Sequence, residues 1–292
     1  MELMLTMDNN FRIGLYEKAV PNELTTLERL QVAKECNYDW VEYSIDATDA
    51  KINRIYMSKQ ERLELLNLTK EVGIGFDTMN ISALTKYALG SSDKQTEEKG
   101  LEIAKKAIEL AHDLGTRIVM IPGYDVYFEE STKETHERYL KNLKEIVAYA
   151  TYYSVPLGLE TMENNYMNTA KKAMNFVKEV NSHYLNVYPD TGNITNALLD
   201  TNDSMYDDIK AGEGHTVAVH LKETKPGIYR EVPYGLGHTR YDEAIKASYE
   251  IGVKMFLAEF WYVGQEDWKN DCKKANEFLR SKITKYYKEN DK

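Results

Sequence analysis

The sequence predicts an α/β fold, a (β/α)8 TIM barrel in which residues 1–292 form a single domain. Three observations lead there. Short apolar runs alternate eight times with longer segments of helical period, the pattern of a parallel sheet wound by helices. The 292 residues divide into about 36 per βα unit, close to what such a barrel needs. The first strand runs into Gly14-Leu-Tyr-Glu-Lys18, which lacks the Gly-rich phosphate turn of the competing doubly wound sheet. Composition is even, with no Pro/Gly/Ser-rich linker to divide the chain.

Strand 12–15 precedes a helix over 25–37, where Leu27, Leu30, Val32 and Ala33 share one side. After strand 40–43, Ser58 with Glu61 three residues on forms a capping box that opens the second helix. Strand 75–79 leads to a long helix over 93–114. Strand 117–121 leads to a helix opened by Ser131, again with a glutamate, Glu134, three residues later. Strands 156–160, 185–188, 216–220 and 254–259 pair with helices over 168–180, 200–210, 241–251 and 265–287.

Composition narrows the function. The net charge of −10 argues against nucleic acid, which favours a basic stripe. No apolar run approaches the ~18 residues of a membrane span. The opening MELMLTMDNN has neither the basic nor the apolar region of a signal peptide. Cys36 and Cys272 fall in different expected helices, so neither a disulfide scaffold nor a thiolate metal site is expected. A reducing cytoplasm is the simplest setting.

In a barrel, polar residues at the C-terminal ends of strands face the active site. Strand five ends in Glu160, Asp190 lies just past strand six, and strands seven and eight end in His220 and Glu259. The intervals of 30, 30 and 39 residues are each about one βα unit, which puts all four at the same barrel end. Three carboxylates and an imidazole converging there suit one divalent ion, Zn²⁺, Mn²⁺, Co²⁺ or Mg²⁺. Without a cation, such carboxylates repel and are driven to protonate. The ion stabilises an enediolate, easing removal of a proton α to a carbonyl. One glutamate takes that proton and the other returns one to the opposite face, which is epimerisation. Transfer on one face between adjacent carbons would instead be aldose–ketose isomerisation.

Several motifs now join these residues: Gly14-Leu-Tyr-Glu-Lys-Ala19, Glu42-Tyr-Ser-Ile-Asp46, Leu89-Gly-Ser-Ser92 and Gly123-Tyr-Asp-Val-Tyr127. More specific are Tyr188-Pro-Asp-Thr-Gly-Asn193, Val217-Ala-Val-His-Leu-Lys-Glu-Thr-Lys-Pro-Gly227 and Ala258-Glu-Phe-Trp261. Through them the chain resembles, over essentially its whole length, the L-ribulose-5-phosphate 3-epimerase family of the xylose-isomerase-like barrel superfamily. The resemblance implies interconversion of L-xylulose 5-phosphate and L-ribulose 5-phosphate, a part in ascorbate utilisation, and a homodimer. It implies that Glu160, Asp190, His220 and Glu259 hold the metal and that Glu160 and Glu259 are the acid–base pair. Two stretches depart from the family pattern. Ser82-Ala-Leu-Thr-Lys-Tyr-Ala88 has Leu84 and Thr85 where a histidine and an arginine are expected. Gly235-Leu-Gly-His-Thr-Arg240 has Leu236 where Gly-Glu-Gly is expected.

Further candidates surround this set. Lys222, Lys225 and Arg230 follow strand seven, where barrels often hold phosphate. Gly235 and Gly237 offer backbone N–H groups to an anion, and Lys86 and Arg240 offer replacement cations. Tyr16, Glu17, Tyr124, Glu42, Asp46 and Asp77 are candidates for sugar hydroxyls, Asn193 for a substrate contact, and Trp261 for an aromatic wall. Asp200, Asp203, Asp207, Asp208 and Glu213 read as a solvated acidic face.

The expected partner is therefore a small ketose or ketose phosphate. The alternatives on the same site are a hexulose-6-phosphate type aldose–ketose isomerase and a free-ketose 3-epimerase. A DNA-repair endonuclease of the same superfamily would need several zinc-binding histidines and a basic face, against six His in total and a net charge of −10. A non-catalytic sugar-binding protein would not need all four ligands.

Overall fold

The computed structural model describes residues 10–287; the opening stretch read above for a signal peptide lies largely outside them. Eight parallel strands build the sheet: β1 (Arg12–Tyr16), β2 (Trp40–Ser44), β3 (Gly75–Asn80), β4 (Ile118–Pro122), β5 (Leu157–Glu160), β6 (Leu185–Tyr188), β7 (Val219–Leu221) and β8 (Met255–Ala258). Their order is β6-β5-β4-β3-β2-β1-β8-β7. Two parallel bridges, Val187↔Thr216 and Asp190↔His220, join β6 to β7 and nearly close the ring. This is the expected (β/α)8 TIM barrel.

Two apolar layers hold it. The outer layer packs strand residues such as Leu15, Val41 and Val119 against helix residues such as Leu30, Ile103 and Ile146. The inner layer fills the barrel with Tyr16, Trp40, Met120, Tyr188 and Leu257. Gly14 is required there. A Cβ at this position would sit 2.2 Å from the Trp40 indole, so only hydrogen leaves room for the ring.

The helices follow their caps. Ser58 and Glu61 form the expected capping box at Lys59–Val72. The box expected at Ser131 is displaced by one residue. Thr132 accepts from the Thr135 amide and opens Lys133–Tyr153, because the Ser131 hydroxyl instead donates to buried Asp125 at 2.7 Å. A helix absent from the sequence reading, Thr191–Ala197, follows Asp190. Its threonines, asparagines and glycine are poor helix formers, so it rests on the Asp190 cap and on burial of Ile194. The acidic face is not all solvated. Asp208 is fully buried and accepts from the Ala170 and Lys171 amides, capping Ala170–Val180.

Glu17, just past β1, is also buried and ties the first two units together. It accepts from Arg29 at 2.9 Å, from Arg54 at 2.6 Å, from the Ser44 amide at 2.8 Å, and from Lys51. Burial pushes its carboxyl up, but Arg54 and Lys51 outweigh burial and bring it from 4.5 down to about 2. A depressed carboxyl stabilises the fold above its unfolded value and loses that contribution as pH falls through the folded one. Glu17→Gln is therefore expected to cost about 3 kcal/mol at pH 7. The gap from the wild type should close between pH 4.5 and about 2. Urea unfolding at several pH values checks this; equal stability at pH 7 would show that the network contributes nothing.

Candidate metal and substrate site

Four side chains meet at the C-terminal mouth of the barrel. Glu160 is the last residue of β5, and Glu259 follows β8 directly, its amide donating to the Leu221 carbonyl at 3.1 Å. Asp190 is the N-cap of Thr191–Ala197; its Oδ1 accepts from the Gly192 and Asn193 amides at 2.8 and 2.9 Å. That fixes the carboxylate and turns Oδ2 toward the cluster. His220, in the middle of β7, is registered against Asp190 by a bridge and by its amide donating to the Pro189 carbonyl at 2.8 Å.

One ligand atom from each of Glu160, Asp190, His220 and Glu259 lies within 4.8 Å of all the others, and all four residues are buried. His220 Nδ1 is 2.9 Å from Glu160 Oε1 and 3.3 Å from Glu259 Oε2, so this nitrogen faces the carboxylates. Glu259 Oε2 is buried without a hydrogen bond of normal geometry. Three oxygens and one nitrogen in this space, with Asp190 Oδ2 and Glu259 Oε2 both lacking a hydrogen-bond partner, fit a divalent ion.

Electrostatics within the cluster are divided. Burial raises Glu160, and His220 only partly offsets it. Burial pushes Glu259 the same way, but Lys222 and His220 outweigh it and hold Glu259 below the usual range. Asp190 is raised by burial despite Lys222. Burial would lower His220, but Glu259, Tyr188, Glu42 and Glu160 raise it well above the ordinary imidazole value.

Of the expected substrate contacts, Tyr16, Tyr124, Asn193, Lys222, Arg230 and Trp261 line the cavity above the cluster together with Glu160 and Glu259. Trp261 stands edge-on to Tyr16 with ring centres 5.8 Å apart, and the Arg230 guanidinium lies 5.4 Å from the Trp261 ring centre. Lys222 is buried, 2.5 Å from Asp190 Oδ2 and 2.8 Å from Asn193 Oδ1, so it belongs to the ligand cluster rather than to a basic loop. Lys225 is not among the lining residues; it is exposed in a turn bridged to Ile228.

Other readings change more. The Gly235–Thr239 loop does bind an anion, but the anion is its own Glu223. That carboxylate accepts from the Gly235 amide at 2.8 Å and the Thr239 amide at 3.0 Å. A Cβ at Gly237 would meet Glu223 Oε1 at 2.5 Å. Lys86 and Arg240 do not line the cavity. Glu17 is consumed by its cations, and Asp77 pairs with Arg12 at the opposite end of the barrel. Asp46 bonds Thr48 and Lys18. Glu42 is fully buried behind His220. Leu84 is buried in the core, whereas Thr85 lines the cavity. Several lining residues went unread, Glu163 and Lys18 among them. Glu163 accepts from Tyr124, and Lys18 lies 3.3 Å from Asp46. Each is close in sequence to a residue already singled out, Glu160 or Tyr16, which is the only sequence signal for it.

The family described as xylose isomerase-like TIM barrel matches residues 30–282. The chain is 38% identical over 276 residues to L-ribulose-5-phosphate 3-epimerase UlaE of Escherichia coli (strain SMS-3-5 / SECEC), covering 94% of this chain and 95% of that protein. In fold it is similar to D-psicose 3-epimerase with D-tagatose from Clostridium cellulolyticum H10, at TM-score 0.75 and 18% identity over 93% of this chain and 99% of that one. It is likewise similar to a xylose isomerase-like TIM barrel protein from Mycobacterium smegmatis in complex with magnesium, at TM-score 0.70 and 16% identity over 95% and 98% of the two chains.

Proposed function

Because the chain belongs to the L-ribulose-5-phosphate 3-epimerase family of the xylose isomerase-like TIM barrels, we propose that this carbohydrate isomerase is a metal-dependent ketose-phosphate 3-epimerase. Its substrate pair is L-xylulose 5-phosphate and L-ribulose 5-phosphate. One observation carries the reading: the glutamates of β5 and β8 meet with Asp190 and His220 beneath a cavity walled by Trp261.

Glu160, Asp190, His220 and Glu259 would hold one divalent ion. When bound, it would supply positive charge that stabilises the anion left by removal of the proton α to the carbonyl. The protein does the rest. Glu259, kept ionised by Lys222 and His220, accepts the C3 proton in one direction. Glu160, raised by burial, delivers a proton to the opposite face. Trp261 and Tyr16 cover the carbon skeleton, and Tyr124 with Glu163 meets hydroxyls. Arg230 and Lys18 are the cations at the cavity wall that face a phosphate. We place the enzyme in the cytoplasm as a homodimer of single-domain subunits working in ascorbate utilisation. Two buried free cysteines suit a reducing compartment.

Thr85 lines the cavity where an arginine is expected, which favours, as a second reading, an unphosphorylated ketose. A panel of pentulose and hexulose phosphates beside the free sugars, run in D2O, tests both readings. Deuterium at C3 of a ketose product is expected. Deuterium at C1 or C2 with an aldose product would overturn epimerisation. Arg230→Met is expected to raise KM for the ketose phosphate about tenfold or more and to leave a free ketose unaffected. Equal effects on both would remove Arg230 from phosphate recognition.

A further inference from the structure

We propose that Glu42 is a positioning residue that sets which nitrogen of His220 is offered to the metal. The proposal rests on the reading that Glu160, Asp190, His220 and Glu259 hold a divalent ion.

Glu42 lies on β2, across the barrel from β7, and is fully buried in the inner layer. Its Oε1 is 3.3 Å from His220 Nε2. Among the described residues neither atom has a hydrogen-bond partner, and the two face each other as a buried acceptor and a buried ring nitrogen. The far side of the carboxylate is held. Oε2 accepts from the Thr78 hydroxyl at 2.8 Å and from the Tyr188 hydroxyl at 3.2 Å. Thr78 in turn accepts from the Trp40 indole N–H at 3.1 Å. The Tyr188 ring also stands edge-on to the imidazole, with centres 4.5 Å apart. Glu42 is thus held by two hydroxyls, and the imidazole packs against the Tyr188 ring.

No Arg or Lys pairs with Glu42 among the described residues. A buried carboxylate needs a donor for each oxygen, and the group that faces Oε1 is the Nε2 edge of the neutral imidazole. With its proton on Nε2, directed at Glu42, the Nδ1 lone pair points at Glu160 and Glu259, where the ion would sit. Flipped or in the other tautomer, His220 would present N–H to a cation. A carboxylate behind a ligating histidine also strengthens it as a donor, and loss of such support typically weakens metal binding about 10–100-fold.

The test is Mn²⁺ affinity of the metal-stripped full-length chain, read from the electron paramagnetic resonance of free Mn²⁺, for wild type, Glu42→Gln and Glu42→Leu. Gln keeps an acceptor for Nε2–H and loses the charge; Leu loses both. The expected order is an about tenfold weakening for Gln and about a hundredfold for Leu. The melting temperature of the metal-free Gln variant should equal or exceed that of the wild type, since a buried charge has gone. A merely structural glutamate would lower that temperature and leave affinity alone. Gln within twofold of wild-type affinity overturns the proposal, even where Leu fails to fold. A wild type that binds no Mn²⁺ overturns the four-ligand reading itself, a distinct result.

Discussion

Glu160→Gln and Glu259→Gln are each expected to lower kcat by about 10²–10⁴-fold or more while the barrel stays folded. The substitution keeps the shape of each side chain and removes its charge and its capacity to carry a proton. Both positions also face His220 Nδ1, so each loss falls on ion and substrate together. The two variants should differ in a revealing way. If each glutamate serves one face of C3, each variant keeps slow solvent exchange for one epimer and loses it for the other. Exchange at C3 followed separately from both epimers, with far-ultraviolet circular dichroism as the fold control, checks this. Near-normal turnover in either variant would reject its acid–base assignment.

Metal removal is the second large effect. Treatment with EDTA should abolish turnover, and one equivalent of Mn²⁺ or Co²⁺ per chain should restore it. The reason lies in the charge of the site. Three buried carboxylates share a single lysine, Lys222, and an imidazole. Without an ion, the neighbouring carboxylates raise the His220 imidazole well above its ordinary value and burial raises Asp190. An ion competes with protons for these ligands, so affinity should weaken as pH falls. An ion at 100 times its Kd adds about 2.7 kcal/mol to stability, or roughly 4 °C in Tm. Chelated protein that keeps full activity, with no metal found by elemental analysis, would sink the assignment.

Much of the fold was legible in the sequence because barrel strands are buried on both faces and read as apolar runs. Helix starts were legible where a cap and its partner lie three residues apart, as at Ser58 and Glu61. They were misread where another buried group takes the capping hydroxyl, as Asp125 does for Ser131. The helix Thr191–Ala197 was invisible because its stability comes from Asp190 and burial rather than from its own residues. The four candidate ligands were legible because they recur at intervals of about one βα unit, which puts Glu160 at the end of β5, Asp190 and Glu259 just past β6 and β8, and His220 within β7 at the same barrel mouth.

What the sequence determined by itself is thus periodic: the strand and helix alternation, and the four polar strand ends about one βα unit apart. What only the tertiary structure decided is which charges meet. Lys222 reads as a loop cation and is a buried partner of Asp190. Gly235 and Gly237 read as an anion cradle and enclose Glu223. Glu42 reads as a sugar contact and stands behind His220, 178 residues away in sequence. The physical reason is that periodicity is a property of neighbouring residues. The partner of a buried charge is instead chosen by rotamer and register across the barrel.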